Sequence, residues 1–441
     1  MITFSTTTMI SKYLQIIVFL SVFLLPILCN LVEHSASIIL VVLVLIELYA
    51  WITRKKIPGS TPKEKIIMWS FALYFFVCVF FFLANGLFRE SASFHWDLDH
   101  EIRFLAFVPI YFLFHRTGLK PWTVWYGSAI AAILCGFFSI NYIFSVYSSA
   151  DASNVHNSLT FLETLRVSGA YTSITFGQIS LTFGFMSFAG IRYFHKTHPA
   201  LIILPVMALA GGILAGFLSG TRGAIITIPF LALIFFIQLG SFKYPWRNRI
   251  ALVLAITFFS SGLYLMPGST VDQRFRTGFT QAKAFFNGEG TGPYVVRLAM
   301  WTEAWKIFKA HPVCGTGKDG YSHIIEAKIA QNEIPKTIER FHSPHNNYLT
   351  NMAAYGITGL LILLAVFLSP FFIFIPAVRT SGPQKDMVYS GIMLIVSFIL
   401  FAVTETIFYR NIYISLYVIL VAAILYIASE RESENFNQRS T

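Results

Sequence analysis

Two histidines and two asparagines crowd one short stretch, Arg340-Phe341-His342-Ser343-Pro344-His345-Asn346-Asn347-Tyr348-Leu349, where a long polar segment runs into an apolar one. An imidazole, with an ordinary pKa near 6.5, serves as a base at neutral pH. At a membrane boundary it can exchange protons with water while facing a lipid-linked substrate. The plainer alternative is that His342 and His345 only decorate the start of a helix. Two arginines stand where arginines are costly. Arg222, in Ser219-Gly220-Thr221-Arg222-Gly223-Ala224, falls between two apolar runs with almost no loop, among small residues that let backbones pack closely and leave room for a ligand. A charge at that depth costs a few kcal/mol unless paired or solvated, and such charges mark sites. Arg166, in Leu165-Arg166-Val167-Ser168-Gly169, precedes a further apolar run and makes the same case more weakly.

The elements that must carry these residues follow from composition. Of 441 residues, 56% are hydrophobic and 12% charged, which excludes a water-soluble globule of this size. The apolar runs have the roughly 20-residue length of spanning helices, not the alternation of barrel strands. We therefore expect an all-α polytopic membrane protein with twelve spans, near 13–31, 36–53, 66–86, 102–114, 122–147, 174–191, 200–218, 224–240, 250–266, 348–376, 387–404 and 411–428. The fourth is short, and the tenth is long enough to tilt or kink at Pro370. The chain then divides into residues 1–266 with nine spans, a loop over 267–347, and residues 348–441 with three spans and a tail. Tyr13 to Leu31 lacks a small-residue cleavage pattern and reads as a retained helix. Cys29, Cys78 and Cys135 fall in apolar runs and Cys314 in the loop, so no disulfide framework is implied.

The short connections 54–65, 115–121, 192–199, 241–249 and 379–386 are basic, so the positive-inside rule puts both termini in the cytoplasm and the long loop outside. The ten lysines and arginines of that loop suit an anionic partner, although a solvated helix face explains them too. Within it, Val296, Met300, Ala304 and Phe308 share a helical face beside Trp301 and Trp305, with Arg297, Glu303 and Lys306 elsewhere. That pattern predicts an amphipathic helix on the membrane or on the bundle, stopped by His311-Pro312. Gly315-Thr316-Gly317 with Gly320 makes a tight turn whose amides could face an anion, or a turn with no ligand.

Four pieces in order resemble the O-antigen ligase and polymerase superfamily of bacterial envelope proteins. They are Ser219 to Ala224; Arg297 with Trp301 and Trp305; His311-Pro312 with Gly315-Thr316-Gly317; and His345-Asn346-Asn347-Tyr348-Leu349 with Tyr355-Gly356. The match is close from Arg166 to Gly359 and rests on span count elsewhere. Size and the single large outer loop are most similar to the ligase branch. The resemblance implies transfer of a glycan from undecaprenyl pyrophosphate, on the periplasmic side of the bacterial inner membrane, to a sugar of the lipid A core, without a metal or other cofactor. It implies catalytic roles for Arg222 and Arg297 on the pyrophosphate and for His345 as the base that activates the acceptor hydroxyl. Direct attack on the anomeric carbon would invert it. Around these we place Arg166, Asn346, His342, Gly315, Gly317 and Tyr348 as substrate-binding residues, in a protein expected to be monomeric.

Three rivals stay open. A polymerase would use the same donor with another acceptor. A lipid-linked glycan transporter would share twelve spans and outer cations, but no internal repeat is visible. His95-Trp96-Asp97-Leu98-Asp99-His100-Glu101 has the acids of a divalent-metal site, against the commoner solvated acidic loop. Glu47 inside the second span reads as a helix-pairing acid, and Glu405 with Arg410 as an outer ion pair.

Overall fold

In a computed structural model the chain is helical in every place where a span is expected. The structure describes residues 3–54, 59–88, 98–149, 166–241, 244–265, 270–287, 292–334, 338, 342–378 and 383–439. In chain order the helices are α1 (Thr3–Cys29), α2 (Ser35–Arg54), α3 (Pro62–Phe88), α4 (Asp99–Leu105), α5 (Phe107–Thr117), α6 (Pro121–Ser149), α7 (Ser173–Ala189), α8 (Ile191–Thr197), α9 (Ile203–Leu218), α10 (Arg222–Ser241), α11 (Trp246–Leu265), α12 (Thr270–Phe286), α13 (Pro293–Ala310), α14 (Gly320–Ala330), α15 (Asn347–Ala377), α16 (Pro383–Thr404) and α17 (Asn411–Arg439).

Among the described residues nine helices are long and apolar enough to cross a membrane, or ten if α7 and α8, bent by 52°, make one span. The fourth expected span is two short helices broken at Ala106. The ninth expected span is α11, which is not among the nine. Hydrocarbon leaves backbone groups no partner but each other, so apolar runs of this length fold as helices. Some of their starts carry side-chain caps. Thr61 and Glu64 exchange side-chain bonds at the start of α3, at 2.8 and 3.3 Å, which accounts for a buried glutamate there.

The last two spans are the innermost: 89% of Asn411–Ser429 and 72% of Gln384–Thr404 is buried, against 28–44% for the other seven. Other helices therefore surround α16 and α17 along most of their length. Away from the polar end that carries the arginines, Glu47 accepts from Arg116 at 2.8 Å, the pairing expected of that acid.

The expected kink at Pro370 is instead a break at Gly356, which has φ 63° and ψ −152° inside α15. The break frees the carbonyls of Ala353 and Ala354, which accept from the amides of Thr316 and Gly317 at 2.9 and 2.8 Å. The amide of Ile357 turns to the Pro312 carbonyl at 2.7 Å. Residues 312–317 thus replace the hydrogen bonds a continuous helix would have made.

The loop helix α13 forms where the apolar spacing put it and lies on the bundle. Met300, Ala304 and Ile307 bury against Tyr321, Ile325 and Ile329 of α14 and Ala353 of α15. Glu303, expected away from the apolar face, is buried too. Lys306 and Lys328 each donate to it at 2.6 Å, and that neutralisation is what lets a carboxylate sit there.

Candidate active site

Four helix ends meet where the loop joins the bundle: the starts of α10, α15 and α17, and the end of α16. At the start of α15, Asn346 caps the helix by accepting from the Leu349 amide at 3.0 Å. The residue before it, His345, has φ 50°, a left-handed conformation that costs a side-chain-bearing residue roughly 1–2 kcal/mol. Its neighbours hold it there. Trp301 donates its ring N–H to the Pro344 carbonyl at 2.8 Å, and Ser343 meets the Thr406 hydroxyl at 3.1 Å. Asn347 accepts from the Phe408 amide at 2.9 Å. Segments 343–347 and 405–408 are thereby zipped together, some sixty residues apart in sequence.

Glu405, directly after α16, is 1% exposed and is the hub of the cluster. Its Oε1 accepts from Arg297 Nη2 at 3.2 Å, and its Oε2 faces Arg410 Nη2 at 3.1 Å and His345 Nδ1 at 3.4 Å. Burial alone would raise this carboxyl. The His345 hydrogen bond and the charges of Arg410, His345 and Arg297 more than offset that and hold it below its usual range. The two guanidiniums and the imidazole keep 35, 29 and 25% of their side-chain surface open, so a substrate can reach them. Arg410 also donates to Thr172 and Thr175 at 3.1 and 3.0 Å, which ties the start of α7 to the cluster.

Arg222, the first residue of α10, joins through two contacts. Its guanidinium stacks over the Tyr294 ring at 4.0 Å, and Tyr294 lies three residues before Arg297 on α13, hence on the same face. Behind it Gly223 packs so closely that a Cβ there would fall 2.7 Å from Thr404 Oγ1, next to Glu405. Small residues were expected around Arg222 to let backbones pack closely and to leave room for a ligand; Gly223 brings the start of α10 against the end of α16.

Arg222, Arg297 and His345 are therefore gathered within one constellation, with Asn346 as the cap that aims the histidine. Arg166 donates to the Ser219 carbonyl at 3.1 Å and so braces the turn before Arg222. Tyr348 donates to the Ile399 carbonyl at 2.9 Å and packs inward against α16. His342 is exposed, and its carbonyl accepts from Ser322 at 3.1 Å. Gly315 takes φ 63° and Gly317 φ 85°, and the amides of Thr316 and Gly317 are spent on α15.

Of the acidic stretch proposed as a metal site, His95 and Asp97 lie outside the described residues. Asp99 pairs with Arg103 at 2.9 Å and accepts from Asn411 at 2.8 Å, while Glu101 faces Lys318 at 3.4 Å. Among the described residues no group of three or more His, Cys, Asp or Glu could hold a metal ion.

Sequence reasoning paired Glu405 with Arg410 but missed its bridge to His345 and Arg297, and it missed Tyr294. The only local signal for Tyr294 was its place one turn before Arg297.

These features define a polytopic helical membrane protein with a cation-rich polar cluster at one end of its bundle. Residues 206–364 match the family model described as O-Antigen ligase, which supports assigning the chain to the O-antigen ligase superfamily. The matched stretch contains Arg222, Arg297 and His345 and ends before Glu405 and Arg410. An uncharacterized protein of Haemophilus influenzae is 23% identical over 373 residues, covering 84% of this chain and 88% of that protein. Family members are glycosyltransferase-type ligases or polymerases, which supports a transferase in general and implies a lipid-linked glycan donor and a lipid acceptor.

Proposed function

We propose that this chain is an O-antigen ligase. It transfers a glycan from undecaprenyl pyrophosphate to a sugar hydroxyl of the lipid A core, by a single inverting displacement that needs no metal. The observation that carries this reading is the convergence of His345, Arg297 and Arg410 on one buried carboxylate, with Arg222 on the same side of α13. Counting Glu405 as anionic and His345 as neutral, the three guanidiniums leave a local charge of about +2, matched to the two negative charges of a diphosphate diester. Guanidinium forks fit phosphate oxygens and stay charged.

In the reaction His345 Nε2 takes the proton of the acceptor hydroxyl as its oxygen attacks the anomeric carbon. The bond from that carbon to the phosphate oxygen breaks, its electron pair goes to the diphosphate, and the lipid diphosphate departs with one more negative charge. Arg222 and Arg297 stabilise that charge where it grows. Arg166 braces the Arg222 turn, Asn346 aims His345, exposed His342 lies on the approach of the glycan, and Tyr348 and the Gly315–Gly317 turn support the site from within the fold. We take the protein as multi-pass in the bacterial inner membrane, with both termini cytoplasmic and the site facing the periplasm, working as a monomer.

The test uses purified full-length protein with an undecaprenyl-pyrophosphate glycan and lipid A-core, with and without EDTA, resolved on a gel. A discrete upward shift of the lipid A-core band that survives EDTA is expected. Longer glycan on the carrier with no shift would make the protein a polymerase. Bound donor with no covalent product would make it a transporter.

A further inference from the structure

The carboxylate at the centre of this cluster has a role of its own. We propose that Glu405 is the positioning residue that sets the reacting nitrogen of His345: by accepting a proton from Nδ1 it fixes the ring in the tautomer whose Nε2 lone pair is bare. The inference rests on the transferase reading above and deepens it.

The geometry leaves one arrangement. Glu405 Oε2 faces His345 Nδ1 at 3.4 Å, and an ionised carboxylate accepts but does not donate. Nδ1 therefore carries the hydrogen, and the neutral ring has its base on Nε2, away from the carboxylate. The carboxylate is held ionised by Arg297 on one oxygen and Arg410 on the other. When Nε2 takes the acceptor proton, the ring becomes an imidazolium already in contact with an anion 1% exposed, so the charge formed in the displacement has its counter-ion in place. A carboxylate that orients the ring of a base is a recurrent device.

The same residue aims the electrophilic side. Its Oε1 holds Arg297, and Arg410 is anchored to the α7 threonines by Nη1 and to Glu405 by Nη2. One buried anion thus fixes the spacing between the base and two of the three guanidiniums. Without it the cluster would hold three cations around the donor and no anion beside the ring. The two failures have opposite signs for binding and for chemistry. More positive charge does not weaken a diphosphate, whereas a misdirected imidazole slows proton removal.

The experiment compares the full-length wild type with E405Q, E405D and H345A in detergent, by steady-state transfer and by nitrogen NMR of 15N-histidine-labelled protein, with H345A identifying the His345 signals. We expect wild-type His345, when neutral, to carry its proton on Nδ1. E405Q should lose that tautomer and about 100-fold or more in kcat, with a donor KM no higher than wild type. E405D, which restores the charge at a shorter reach, should recover part of the loss. A protonated Nε2 with a bare Nδ1 in the wild type would overturn the proposal, even if E405Q fails to fold. So would wild-type kcat in E405Q, or a fall explained by donor KM alone. Transfer retained by H345A would remove the underlying reading instead, whatever E405Q does.

Discussion

Replacing Gly356 with alanine should be among the most damaging single-methyl changes the bundle can receive. With φ 63° and ψ −152°, Gly356 lies in a region open essentially to glycine alone, where a residue with a Cβ pays about 1–3 kcal/mol. The new methyl would also run into the Val313 carbonyl and lie 2.6 Å from the Pro312 carbonyl oxygen, so the 312–317 segment must move away. Moving it breaks the 2.7 Å bond from the Ile357 amide to Pro312, a further loss of about 1 kcal/mol. The sum is about 2–4 kcal/mol, or a folded-to-unfolded ratio lower by roughly 30- to 1000-fold. Against a total stability on the order of 5–15 kcal/mol that is a large share. Thermal unfolding of the purified protein in detergent, followed by intrinsic fluorescence, measures it. G262A is the control, because nothing lies within 4 Å of a Cβ there and alanine favours a helix. G356A should melt far below G262A and the wild type. If all three melted together, the exchange of hydrogen bonds between 312–317 and the broken helix would not be what holds the loop.

Three further outcomes follow from the site and its supports. R222K should lose much of the transfer activity that R222A loses, because an ammonium keeps the charge but not the fork or the stacking on Tyr294; equal activity of R222K and wild type in a transfer assay would dismiss the bidentate role. W301F removes the 2.8 Å bond to the Pro344 carbonyl and leaves a buried acceptor unmet, at about 1–3 kcal/mol, so its melting temperature and its kcat should both fall while donor KM changes little. The loop pairs have a defined pH window. Although burial pushes Glu303 up, Lys306 and Lys328 hold it below its ordinary value of 4.5. A depressed folded value means stability fully present above about pH 4.5 and lost as pH falls below it. Melting temperature should therefore hold from pH 7 to about 5.5 and drop toward pH 4, with E303Q starting lower and dropping less.

The sequence made some of this legible for local reasons. The stretch 340–349 runs from polar into apolar residues, so a helix start beside a histidine could be read directly, while the cap by Asn346 appears only in the fold. Arg222 between two apolar runs demanded a tight turn, and the spacing of Met300 and Ala304 put the buried face of α13 where it lies. What was missed is held by distant partners. Gly356 breaks its helix because residues about forty positions upstream supply the hydrogen bonds, whereas Pro370 suggested a kink on local grounds alone. Glu303 could not be read as buried without knowing that Lys328 on another helix would neutralise it. Glu405 meets partners 60 and 108 residues away, so its place at the centre of the cluster appears only in the fold.

The most direct test of the account separates binding from chemistry at His345. Donor affinity and glycan transfer are measured on the same preparations of wild type and H345A, using undecaprenyl-pyrophosphate glycan as the probe. The account predicts wild-type donor affinity in H345A with transfer lower by roughly 100- to 10,000-fold, the range of a lost general base. Normal transfer by a correctly inserted H345A protein would contradict it.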